Sequence, residues 1–189
     1  MIRIFIVGYM GAGKTTIGKS LARHMNLNYI DTDHFIENRY RKKISEIFAE
    51  EGEERFRNIE HRVLLEVSAF EDIVISTGGG LPCFHDHMTL MNNKGITIYL
   101  EASEEELAAR LEASNNVRPV LKERFGSELI AFVKENLSTR RPFYEQATIS
   151  FQQKGKQLKN DVELLAKEVT KYAIAYPHPF SAETESLPY

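Results

Sequence analysis

Residues 8–15 read Gly-Tyr-Met-Gly-Ala-Gly-Lys-Thr, directly behind the apolar run at 2–7 and at the head of a helix-compatible run, Lys14–Met25. Ile17, Leu21 and Met25 fall on one face of that helix, so the local order is strand, glycine loop, helix. The loop satisfies G-x-x-x-x-G-K-[ST], whose glycines let the backbone curl around a phosphate with its N–H groups pointing inward. The helix N-terminus adds positive partial charge, Lys14 reaches the terminal phosphates, and the Thr15 hydroxyl can ligate Mg²⁺. A glycine turn beside an unrelated lysine is the plain alternative, and the flanking strand and helix argue against it.

The same alternation recurs. Apolar segments at 28–31, 73–75, 96–100 and 148–151 are separated by helical patterns, one of them opened by Ser103 with Glu106 three residues on. Continuous apolar strands between helices predict an α/β fold, a five-stranded parallel sheet flanked by helices in three layers. Between the second and third strands, residues 53–70 carry Phe56, Ile59, Val63, Val67 and Phe70 at helical spacing, and the opposite, polar face carries Arg57, Glu60 and Arg62. Residues 114–126 are polar and broken by Pro119, which predicts a mobile loop. One domain is expected over 1–175, with 176–189, rich in proline, as a loosely attached extension.

Composition narrows the partners. With 24 Lys and Arg against 27 Asp and Glu, the net charge of −3 gives no general attraction to nucleic acid or a membrane surface, so any anion site is built locally. The single cysteine, Cys83, forms no internal disulfide and suits a reducing cytoplasm. The apolar N-terminal run is too short for a signal peptide or a membrane span.

A triphosphate loop alone leaves motor, switch, hydrolase and kinase open, so the second substrate must be read elsewhere. Asp31 and Asp33 stand two residues apart at the carboxyl end of the second strand, where parallel-sheet sites form. In phosphoryl transfer one carboxylate can hold magnesium through water while the other accepts a hydrogen bond from the attacking hydroxyl. Either Asp31 or Thr32 could instead cap the following helix. Arg57 could pair with Glu53, and Arg140 and Arg141 could serve a helix end. Gly78, Gly79 and Gly80 follow a buried strand without a Lys-Ser/Thr, so they are not a second phosphate loop. They let the backbone approach a ring and offer it N–H groups. Ser76 just upstream could support the magnesium shell or be an ordinary core serine.

Six stretches in order, GYMGAGKTTIG (8–18), DTDHFIE (31–37), ISEIFAEEGEERFRNIE (44–60), STGGG (76–80), VRPVL (117–121) and RRPFYEQA (140–147), resemble the shikimate kinases, in the nucleoside-monophosphate-kinase branch of P-loop proteins. The resemblance spans about residues 4–173. It implies ATP bound by Gly11, Ala12, Gly13, Lys14, Thr15 and Thr16, with Arg110 against the adenine and Arg118 as a lid arginine over 114–126. It implies shikimate held by Asp33, Arg57, Gly79 and Arg140 within an acceptor region of about 31–62, and Mg²⁺ held by Thr15 and, through water, by Asp31. Lys14, Asp33 and Arg118 are the catalytic set so implied. A planar guanidinium pairs with a carboxylate through two parallel hydrogen bonds, which suits a cyclic polyol acid. Two features depart from the family pattern: Arg141 gives a second arginine beside Arg140, with the spacing to Pro142 and Tyr144 favouring Arg140, and the extension lies outside it. The expected activity is transfer of the γ-phosphoryl group of ATP to the 3-hydroxyl of shikimate by a cytoplasmic monomer that needs neither nucleic acid nor membrane. A gluconate-type kinase would lack Arg57, Arg140 and the triple glycine in these settings, and a nucleotide-binding regulator would have no need of a phosphate-closing arginine.

Overall fold

The computed structural model describes residues 1–114, 124–153 and 157–176. Among these, five strands form one parallel sheet: β1 (Arg3–Val7), β2 (Asn28–Asp31), β3 (Ile73–Ser76), β4 (Ile96–Glu101) and β5 (Ile149–Gln152), in the order β2-β3-β1-β4-β5. The three central strands are apolar and buried almost without interruption, as a sheet covered on both faces requires. Among the described residues no helix is long and apolar enough to cross a membrane.

The helices are α1 (Lys14–Met25), α2 (Thr32–Tyr40), α3 (Ile44–Val67), α4 (His87–Lys94), α5 (Glu104–Ala113), α6 (Gly126–Tyr144) and α7 (Leu158–Ala175), with a short 3-10 turn at Leu81–Cys83. The capping box foreseen at Ser103 is present, with Glu106 N donating to Ser103 Oγ at 3.2 Å and Ser103 N donating to Glu106 Oε2 at 3.1 Å. The helix expected over 53–70 begins earlier, at Ile44, and passes through a break at Gly52, where φ is 79° and ψ 173°. It ends at Val67, with Ser68 as its cap, so the half after the break matches the expected start and stops short of Phe70.

Parallel pairing sets the carboxyl ends of the strands along one rim. Asp31 on β2 is level with Ser76 on β3, and Ile6 on β1 pairs with that same Ser76. The phosphate loop after β1, the carboxylates after β2 and the triple glycine after β3 therefore converge on one crevice.

Candidate active site

The loop is shaped by its glycines. Gly11 and Gly13 adopt φ of 81° and 89°, the left-handed region that side chains rarely enter. A Cβ on Gly8 would stand 2.9 Å from the Leu100 carbonyl oxygen, so the loop presses directly on β4. Lys14 Nζ donates to Gly8 O at 2.8 Å and Tyr9 O at 2.9 Å, which stretches the ammonium back over the loop. Arg110 Nη1 donates to Gly11 O at 3.4 Å from the end of α5. Ala12 is buried, and Thr16 is exposed on the first turn of α1. Gln153, which no motif singles out, donates from Nε2 to Ala12 O at 2.5 Å and ties the end of β5 to the loop.

Asp31 caps the following helix, one of the roles its sequence position allowed, and also meets Thr15. Its Oδ1 accepts from Asp33 N and His34 N at 3.1 and 3.4 Å, capping α2, and its Oδ2 accepts from the Thr15 hydroxyl at 2.8 Å. A hydroxyl paired with a carboxylate at the head of α1 is an oxygen donor set of the kind a hard divalent cation takes. Ser76 Oγ donates to Lys14 O at 3.0 Å, so it braces the first turn of α1 from beneath.

Each of the three glycines leaves room for a different neighbour. A Cβ on Gly78 would lie 2.5 Å from Asp33 Oδ1 and 3.2 Å from Glu60 Oε1; on Gly80 it would lie 2.8 Å from Arg57 Nη1. On Gly79 it would meet Met10 N at 3.3 Å and Gly8 O at 3.5 Å, placing that glycine against the phosphate loop itself. The strip is fixed from outside by Gly78 N donating to Thr32 Oγ1 at 3.0 Å and by the Tyr144 hydroxyl donating to Gly79 O at 2.5 Å.

Arg57 gathers several groups beside the triple glycine. Its Nη2 donates to Glu53 at 3.1 Å, the pairing that helical spacing allowed, but its Nη1 donates to Glu60 Oε2 at 2.6 Å. Phe84 covers the guanidinium with its ring centroid 4.2 Å from Cζ, and Phe56 and Phe48 flank it at 5.4 and 5.8 Å. Glu60, expected on the polar face of its helix, is in fact 2% exposed, because the triple-glycine strip and Arg57 close over it. Burial pushes its carboxyl up to about 7, against the pull of Arg57 and with added repulsion from Asp33.

Arg140 and Arg141 part company. Arg141 pairs with Glu104 at 2.8 Å at a half-exposed position beside α5. Arg140 lies over the Tyr9 ring, 5.5 Å from its centroid, and its charge acts on Glu60, Cys83 and Tyr144. Arg140 thus stands with Glu60 and the phosphate loop, whereas Arg141 does not. Arg118 and most of the expected lid, 115–123, lie outside the described residues, as do 177–189 of the extension.

Residues 10–172 match the family model described as shikimate kinase. The chain belongs to the shikimate kinase family. It is 54% identical over 171 residues to the shikimate kinase of Parabacteroides distasonis, an alignment that covers 90% of this chain and 99% of the relative. Among solved structures, a shikimate kinase from Bacteroides thetaiotaomicron superposes with a TM-score of 0.86 at 43% identity, covering 89% of this chain and 98% of that one. A shikimate kinase from Acinetobacter baumannii in complex with shikimate gives 0.79 at 30% identity, covering 93% and 94%. The crevice at the carboxyl rim of the sheet is built from the ends of β1, β2 and β3 with residues of α3 and α6 beside them.

Proposed function

We propose that this chain is a shikimate kinase, transferring the γ-phosphoryl group of ATP to the 3-hydroxyl of shikimate. The observation that carries this is the grouping of Asp33 beside Gly78 and Arg57 beside Gly80, with Arg140 over the Tyr9 ring and Gly79 backing onto the phosphate loop between them. Two guanidinium groups on one crevice suit an acceptor with a single carboxylate, which fixes the ring so that one hydroxyl points at the donor. Asp33 orients that hydroxyl, and the missing side chains of Gly79 and Gly80 let the strip sit against the phosphate loop and Arg57.

Gly11, Ala12, Gly13, Lys14, Thr15 and Thr16 hold the phosphates of ATP, and Arg110 covers the base side of the loop. Lys14, now on the Gly8 and Tyr9 carbonyls, turns to the terminal phosphates when they fill the loop. Arg118 is the lid arginine over the transferring group. Thr15 and Asp31 would hold Mg²⁺, Asp31 through water, and the ion supplies charge neutralisation between the phosphates. A loose transition state depends chiefly on alignment and charge, so Lys14 and Arg118 carry much of the stabilisation.

Cys83 is half-buried, and burial pushes its thiol up to about 11, which suits a cytoplasmic enzyme that forms no disulfide. We place the enzyme in the cytoplasm as a monomer of one domain, 1–175, followed by the extension. Coupled measurement of ADP release with shikimate, quinate, gluconate and nucleoside monophosphates tests the assignment. Shikimate should be turned over far faster than the rest; equal ADP release with no acceptor at all would contradict it.

A further inference from the structure

The motif G-x-x-x-x-G-K-[ST] leaves its second position open, because phosphate binding there uses main-chain atoms. In this chain the position is Tyr9, 1% exposed. Its carbonyl serves the donor side, accepting from Lys14 Nζ at 2.9 Å and from Ala12 N at 3.2 Å. Its ring serves the other side, lying beneath the Arg140 guanidinium at 5.5 Å from Cζ to centroid. Burial alone would be met equally well by leucine; what an aromatic face adds is a seat for a cation.

The seat matters because Arg140 stands on a long, rotatable stem near the C-terminal end of α6. Its charge also acts on Tyr144, one turn on in the same helix, whose hydroxyl donates to Gly79 O. Gly79 in turn backs onto Met10 N and Gly8 O, the two residues on either side of Tyr9. Tyr9, Arg140, Tyr144 and Gly79 therefore close a ring of contacts between the phosphate loop and the acceptor floor.

We propose that Tyr9 is a positioning residue for phosphoryl transfer, its ring holding the Arg140 guanidinium in the orientation in which it meets the acceptor carboxylate. This rests on Arg140 being an acceptor contact. The ring is the active part and the hydroxyl is not required. Loss of the ring leaves the Lys14 carbonyl contacts in place and affects acceptor binding.

The test is initial-rate kinetics, with ATP and shikimate varied separately, on Tyr9→Phe, Tyr9→Leu, Arg140→Ala and the double variant Tyr9→Leu/Arg140→Ala. Tyr9→Leu should raise the KM for shikimate about three- to thirtyfold, the range of a cation–aromatic contact, with the KM for ATP little changed. Tyr9→Phe should restore native behaviour, and in the Arg140→Ala background Tyr9→Leu should have no further effect on shikimate. An equal rise in both KM values, a full additive effect in the Arg140→Ala background, or a Phe variant as impaired as Leu would overturn the proposal. Unchanged shikimate KM in Arg140→Ala overturns the acceptor role of Arg140 and this inference with it. A rise in Arg140→Ala with none in Tyr9→Leu overturns this inference alone. If Tyr9→Leu does not fold, Tyr9→Met, ringless and more adaptable, carries the same comparisons.

Discussion

Glu60 and Arg57 meet at 2.6 Å within one turn of α3, and the carboxylate side chain of the pair is 3% exposed. The carboxyl nevertheless has its pKa raised, since burial outweighs the attraction of the guanidinium. On the proposed reading of the site, an incoming acceptor carboxylate shares Arg57 with this group.

The pH dependence follows from that competition. Ionised Glu60 engages Arg57 and repels an acceptor carboxylate, whereas protonated Glu60 does neither. With its pKa at about 7, the KM for shikimate should rise as pH increases through neutrality, and Glu60→Gln should flatten the rise. In stability the same group, raised above its ordinary 4.5, contributes fully below that value and loses its contribution as pH rises through about 7. A native KM profile that is flat across this window would contradict the competition.

His87 has the opposite sign. It is fully buried, its Nδ1 is 2.7 Å from the Leu81 carbonyl and its Nε2 2.9 Å from His61 Nδ1, with the two rings stacked. The carbonyl can only accept, so Nδ1 carries the hydrogen and His61 donates to Nε2. Burial, with His61, His85 and Arg57 facing it, lowers its pKa to about 4 from 6.5. The unfolded chain therefore binds more protons between those values, and stability falls as pH drops through that window. His87→Asn, which keeps a donor near Leu81, should reduce the slope of thermal midpoint against pH; an unchanged slope would count against this.

Asp31→Asn separates the cap from the charge. Asparagine caps as well as aspartate, so the thermal midpoint should hold, while the Mg²⁺ concentration needed for half-maximal rate should rise. A variant that loses stability and keeps its Mg²⁺ dependence would make Asp31 a cap alone.

Arg57→Ala should chiefly raise the KM for shikimate, by an amount corresponding to about 2–5 kcal/mol for truncating one member of a desolvated charge pair. Lys14→Ala should instead collapse kcat. Gly78→Ala should disturb the acceptor more than ATP, because its methyl would press on Asp33, whereas Gly79→Ala should disturb both, since its methyl faces the phosphate loop. Steady-state kinetics with each substrate varied in turn checks all four.

The strands, the phosphate loop and the Ser103 cap were legible because each is written in local pattern: β-branched runs, a glycine spacing, a residue three positions on. The short helix α4 was not, since its eight residues hold few core contacts and depend on neighbours for their burial, while α2 was signalled only by its cap at Asp31. Glu60 was misplaced for a related reason. Helical spacing put it beside Arg57 and Arg62 on a polar face, and the strip that buries it, Gly78, comes from a distant strand end. The bracing of Gly79 by Tyr144 and of Ala12 by Gln153 likewise joins segments far apart in the chain, where no short pattern signals them.

The most direct test of the central claim is phosphorus–proton correlation NMR of the product formed from ATP, Mg²⁺ and shikimate. The phosphate should correlate with the proton on carbon 3 of the shikimate ring, in step with ADP formation. Release of inorganic phosphate at the same rate with shikimate left unmodified would contradict it.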